Sequence, residues 1–133
     1  MNKFFGGDLK NRLIGIWGLS FKPKTDDIRE ASSLVLIEKL LESGTRVKAY
    51  DPAAMEETRK VLGNRIEYVK DPYEAVADAD AVALMTEWSE FHLPDFNRLA
   101  GMMKEKVIFD GRNIYDPALL RSMGFTYFGI GRK

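Results

Sequence analysis

The chain alternates short apolar runs with amphipathic stretches. Residues 12–18 read Arg-Leu-Ile-Gly-Ile-Trp-Gly, a run of β-formers ending at glycine that suits a strand buried on both faces. After a polar stretch from Ser20 to Glu30, Leu34, Ile37, Leu40 and Leu41 recur at helical spacing. Glu38, Lys39 and Glu42 take the opposite face and Gly44 is the stop signal. The alternation continues with a strand at 46–50, a helix at 53–62 closed by Gly63, a strand at 66–69, a short helix at 72–77 and a strand at 81–85. A helix at 96–103, a strand at 107–109, a helix at 117–123 closed by Gly124 and a strand at 126–129 complete it.

Six strands alternating with helical segments predict an α/β domain of Rossmann-like, doubly wound type. The expected sheet is mainly parallel and six-stranded, with helices on both faces and strand order 3-2-1-4-5-6. Ligands of such sheets sit beyond the carboxyl ends of the strands, where the first and fourth strands diverge. Three segments should therefore matter: the loop from Leu19 to Arg29, the run from Thr86 to Phe91, and Asp110-Gly111-Arg112-Asn113.

A length of 133 residues fits one domain, which we place at 13–133 with residues 1–12 as a leading linker. Lys plus Arg and Asp plus Glu number 20 each, so the chain lacks the basic excess of a nucleic-acid binder. With no Cys and one His, disulfides, thiolate metal centres, a cysteine nucleophile and a histidine-based metal site or triad all drop out. No apolar run approaches the ~18 residues of a membrane span, and the expected compartment is the cytoplasm.

The first loop is where a dinucleotide-binding domain carries GxGxxG. Here it reads Gly18-Leu19-Ser20-Phe21-Lys22-Pro23-Lys24-Thr25-Asp26-Asp27-Ile28-Arg29-Glu30, so any phosphate would meet Lys and Arg side chains rather than a glycine cradle. The domain is not expected to hold NAD by itself. Equally, Lys22, Lys24 and Arg29 pair with Asp26, Asp27 and Glu30 if the loop is merely solvated. Asp51 ends the second strand, where a carboxylate can accept ribose hydroxyls, although Asp before Pro52 also reads as a helix cap. Glu87 and Trp88 border the expected crevice, against the alternative that Trp88 and Phe91 pack their loop on the sheet. His92, Met102-Met103 and Phe4-Phe5 suggest only surface or packing roles.

The run GLSFKPKTDDIREASS closely resembles the signature that opens the C-terminal, UDP-binding domain of the UDP-glucose 6-dehydrogenases and related nucleotide-sugar dehydrogenases. The resemblance continues through Ala49-Tyr50-Asp51-Pro52, Thr86-Glu87-Trp88-Ser89-Glu90-Phe91 and Asp110-Gly111-Arg112-Asn113, and covers residues 4–133. It implies a role in oxidising the C6 hydroxyl of UDP-glucose to a carboxylate in two NAD-dependent steps, in the cytoplasm, by an assembly of like subunits. The family's NAD fingerprint and catalytic cysteine lie N-terminal to this region, so the resemblance implies no catalytic residue here. Its partner would be an N-terminal NAD-binding half.

Position by position, Phe21 and Lys22 match the pair that contacts the nucleotide sugar. Arg112 matches a substrate-contacting arginine, and Arg29 the arginine that reaches the NAD of the other half. A compact ammonium suits a sugar hydroxyl or oxyanion; a guanidinium fork suits diphosphate oxygens. Lys22 to Ser33 looks more like the UDP-glucose branch than the GDP-mannose or UDP-N-acetylmannosamine branches. Two rival readings use the same fold without chemistry: a stand-alone nucleotide-binding or regulatory module, and an interaction domain of receiver type. The second lacks the acidic cluster that metal-assisted phosphorylation needs.

Overall fold

A computed structural model of the chain describes residues 10–19, 32–86, 88, 91, 94–112 and 114–129. Its strands are β1 (Leu13–Trp17), β2 (Arg46–Tyr50), β3 (Glu67–Tyr68), β4 (Ala81–Leu84), β5 (Val107–Asp110) and β6 (Thr126–Gly129). They form a six-stranded sheet in the order β3-β2-β1-β4-β5-β6, with every pair parallel. The doubly wound topology expected from the sequence is the one observed.

All five residues of β1 are buried, which is why it reads as a continuous apolar run at the centre of the sheet. Its side chains divide by parity. Ile14 and Ile16 join Ile37, Leu40, Val47 and Leu62 beneath α1 (Ser32–Glu42) and α2 (Met55–Leu62). Leu13 and Trp17 join Leu84, Leu99, Ile108 and Leu120 beneath α3 (Phe96–Met102) and α4 (Pro117–Ser122). The last two helices start as their sequences dictate: Asp95 accepts from the Arg98 N–H at 3.1 Å, and Asp116 accepts from the Ala118 N–H at 3.0 Å ahead of Pro117.

The crossover from β3 to β4 departs from expectation. The helix expected at 72–77 is a single 3₁₀ turn, Glu74–Val76. Residues 69–80 must pass β2 and β1 to reach β4, and the chain does so by lying directly on the sheet. The carbonyl of Ala75 rests against Gly15, where any side chain would collide with it. Lys48 covers the turn's end, donating to the carbonyls of Ala77 at 2.9 Å and Glu74 at 3.3 Å. Among the described residues no helix is long and apolar enough to cross a membrane.

Candidate functional site

β1 and β4 are neighbours whose connections leave in opposite directions, so their carboxyl ends open the crevice such sheets use for ligands. Backbone bonds tie the rim closely. The Met85 N–H donates to the Trp17 carbonyl at 2.8 Å, the Gly18 N–H to the Tyr50 carbonyl at 2.9 Å, and the Gly111 N–H to the Leu84 carbonyl at 2.8 Å. Gly18 sits at φ +103° with its α-carbon against Thr86, where a Cβ would lie 2.5 Å from the threonine's own Cβ. This glycine serves a loop-to-loop contact, not a phosphate cradle.

Two buried aspartates organise the rim. Asp51, 0% exposed, directly follows β2 and receives four N–H donors from the described residues. Its Oδ1 accepts from Ala53 and Ala54, each at 2.8 Å, and its Oδ2 accepts from the Leu19 N–H at 2.8 Å and the Trp88 indole Nε1 at 3.1 Å. Of the two sequence readings of Asp51, the structure favours the cap over the ribose acceptor. Both oxygens are occupied by N–H groups, which disfavours a ribose-binding carboxylate. The residue caps the turn before α2, which starts at Met55 rather than 53 with no side-chain cap of its own.

Asp110 plays the matching part at the end of β5. Its Oδ1 accepts from the Arg112 N–H at 3.0 Å, while Oδ2 accepts from the Tyr115 N–H at 3.0 Å and the Tyr127 hydroxyl at 2.9 Å. The Tyr115 hydroxyl donates to the Phe91 carbonyl at 2.6 Å, so the loops after β4 and β5 are joined through a buried phenol. Burial, reinforced by the Asp110 charge, holds that phenol well above the usual tyrosine range. Phe91 is fully buried and stacks on Trp17 with ring centres 5.1 Å apart. The packing alternative therefore holds for Phe91, whereas Trp88 both packs on the core and donates to Asp51.

Arg112 reaches from the β5 loop across to β4, its Nε donating to the Met85 carbonyl at 2.9 Å. That bond holds the guanidinium beside the carboxyl end of β4. Of the sequence-derived site residues, Arg112 is thus placed at the switch point. Phe21, Lys22 and Arg29 lie outside the described residues, as do Glu87, His92 and Phe4-Phe5. The anchors of their segment are clear, however: Ser33 Oγ of α1 donates to the Leu19 carbonyl at 3.2 Å, so the chain leaves β1 and re-enters α1 at one point on the rim. Sequence reasoning named Asp110 within its segment without giving it a role, and did not foresee the double duty of Asp51 or the phenol of Tyr115.

Beside Arg112 lies a shallow apolar hollow of ≈ 240 Å³, bounded by Leu36, Met85, Phe109, Gly111 and Phe128. A larger cleft of ≈ 540 Å³ lies at the opposite, amino end of β1 to β3. There Arg65 is engaged by Glu38 at 2.6 Å and Lys48 by the carbonyls of the 3₁₀ turn. No group of residues that could hold a metal ion occurs among the described residues. Nor do the described residues fit NAD: Gly18 is spent on Thr86, and Asp51 on backbone and indole donors.

Fold and rim together define a Rossmann-like, doubly wound domain whose first loop lacks the glycine-rich dinucleotide fingerprint. A sequence model of the UDP-glucose/GDP-mannose dehydrogenase family, UDP binding domain, matches residues 15–117, and the chain belongs to that family. It is 45% identical to a UDP-glucose 6-dehydrogenase of Pseudomonas aeruginosa over 99% of this chain and 30% of that protein. A solved UDP-glucose dehydrogenase from Pyrobaculum islandicum superposes with a TM-score of 0.82 at 33% identity, over 99% of this chain and 28% of the other. A UDP-D-ManNAc dehydrogenase from Pyrococcus horikoshii follows at 0.78 and 27%, over 98% and 28%. The chain thus spans under a third of the length of these relatives and corresponds to their C-terminal domain.

Proposed function

We propose that this chain is the nucleotide-sugar-binding domain of an NAD-dependent dehydrogenase that oxidises UDP-glucose to UDP-glucuronate. The observation that carries the reading is the 45% identity to a UDP-glucose 6-dehydrogenase along essentially the whole chain. Identity to the solved UDP-D-ManNAc dehydrogenase is lower, at 27%, which favours the UDP-glucose branch. Turning a primary alcohol into a carboxylate removes four electrons, hence two hydrides and two NAD. A domain without a cysteine or a dinucleotide cradle supplies neither nucleophile nor hydride acceptor. Its part is to bind and orient.

In this reading Arg112 meets the diphosphate, Phe21 and Lys22 contact the nucleotide sugar, and Arg29 reaches the NAD held by an N-terminal half. Residues 1–12 form the linker to that half. Calorimetric titration of UDP, UDP-glucose and GDP-mannose into the chain tests the proposal. UDP and UDP-glucose should bind with GDP-mannose at least tenfold weaker, and pure chain mixed with NAD and UDP-glucose should form no NADH. Preference for GDP-mannose, absence of UDP binding, or substrate-dependent NADH would each contradict it.

A further inference from the structure

We propose that Asp51 is a positioning residue of the nucleotide site, setting the spacing between the loops that leave β1 and β4. This rests on the reading that the chain binds a uridine diphosphate. The carboxylate is fully buried, yet its four donors among the described residues come from three separate places in the chain. Ala53 and Ala54 are local and need only a turn-capping oxygen. Leu19 is the last described residue before the charged segment at 20–31, and Trp88 belongs to the loop on the other side of the crevice. A single oxygen, Oδ2, accepts from both at 2.8 and 3.1 Å. Nearer the strand ends the two loops also meet, through the Thr86 and Met85 N–H groups on the Trp17 carbonyl and through Gly18 against Thr86. The Oδ2 bridge carries the registration outward, to Leu19 and Trp88.

The two oxygens have separable duties, so one substitution can part them. In Asp51→Asn the amide oxygen can keep the Ala53 and Ala54 bonds, because asparagine caps such turns as well as aspartate. The amide NH₂ then faces the N–H of Leu19 and of Trp88, donor against donor. The turn survives and the bridge opens. Trp88→Phe opens only one side, removing the indole donor while keeping an aromatic ring.

UDP affinity of the chain, measured by calorimetry well below each variant's melting temperature, decides the matter. Asp51→Asn should weaken UDP about tenfold, the scale of one charge-assisted hydrogen bond. Trp88→Phe should weaken it severalfold, and the double variant should bind no worse than Asp51→Asn, since both cut the same bridge. Wild-type affinity in Asp51→Asn, or effects that simply multiply in the double variant, would overturn the proposal. Should Asp51→Asn fail to fold, Trp88→Phe decides alone: weaker UDP binding upholds the bridge and unchanged binding overturns it. Failure of the unsubstituted chain to bind UDP would instead bring down the functional reading beneath it.

Discussion

The two ends of the sheet each hold a buried aspartate and a concavity, but they use them differently. At the amino end, Asp80 accepts the Leu13 N–H at 2.9 Å and faces Arg12 at 3.6 Å, and its Oδ1 has no hydrogen-bond partner among the described residues. It pins the start of one strand. At the carboxyl end, Asp51 and Asp110 gather donors from the chain after β1, β2, β4, β5 and from β6. The larger cleft lies at the amino end, at ≈ 540 Å³ against ≈ 240 Å³. On the proposed reading, then, the site is not marked by size. What distinguishes the carboxyl end is that low-exposure carboxylates spend their acceptors on loops, fixing in advance the geometry that binding needs.

The contrast is sharpest in stability. Asp110→Ala leaves the Arg112 and Tyr115 N–H groups and the Tyr127 hydroxyl without their acceptor, at an expected cost of about 3 kcal/mol. Asp80→Asn keeps the Leu13 acceptor and loses only the attraction of a partly exposed Arg12, for under about 1 kcal/mol. Urea titrations of the two variants check this, and equal losses would erase the distinction between the ends. Arg112→Ala should leave the fold nearly intact while weakening UDP by roughly tenfold to a hundredfold, as loss of a charge-assisted contact of ~1.5–3 kcal/mol implies. Calorimetry beside a melting curve separates the two effects.

The same end carries a pH signature. Tyr115 ionises near 10 when unfolded and much higher when folded, because burial opposes its charge. The folded state then holds the proton that the unfolded state releases, so stability should fall as pH rises above about 10, by roughly 1 kcal/mol per unit. Tyr115→Phe should lose that slope, which melting temperatures between pH 9 and 11 would show. The smallest effect belongs to the amino end: Arg46→Ala, on the lining of the larger cleft, should leave UDP affinity within about twofold. A greater loss would move the site.

Much of this architecture is legible in the residues because a parallel sheet writes its core as apolar runs. Leu13 to Trp17 and Ala81 to Leu84 are buried throughout, and the glycines and Asp-Pro pairs between them punctuate the chain where turns and caps form. The 3₁₀ crossover at Glu74–Val76 was not legible, since its brevity comes from the space left over Gly15 by a neighbouring strand. Arg112 could be singled out from its motif, and the structure sets it beside the end of β4. The roles of Asp110 and Tyr115 escaped for a physical reason. Asp110 stands in a segment marked as important, but only tertiary packing turns it into the acceptor for Tyr127, on a strand far along the chain. Asp51 was legible as a cap because that partner is local; its bonds to Leu19 and Trp88 are long-range and leave no mark on the sequence.

The most direct measurement is a ¹⁵N NMR titration of the chain with UDP, read residue by residue at both ends of the sheet. The account predicts saturable shifts at Trp17 to Leu19, Met85 to Trp88 and Asp110 to Tyr115, with Arg46 to Lys48 and Asn64 to Glu67 unmoved. Saturable shifts confined to Arg46 to Lys48 and Asn64 to Glu67 would contradict it.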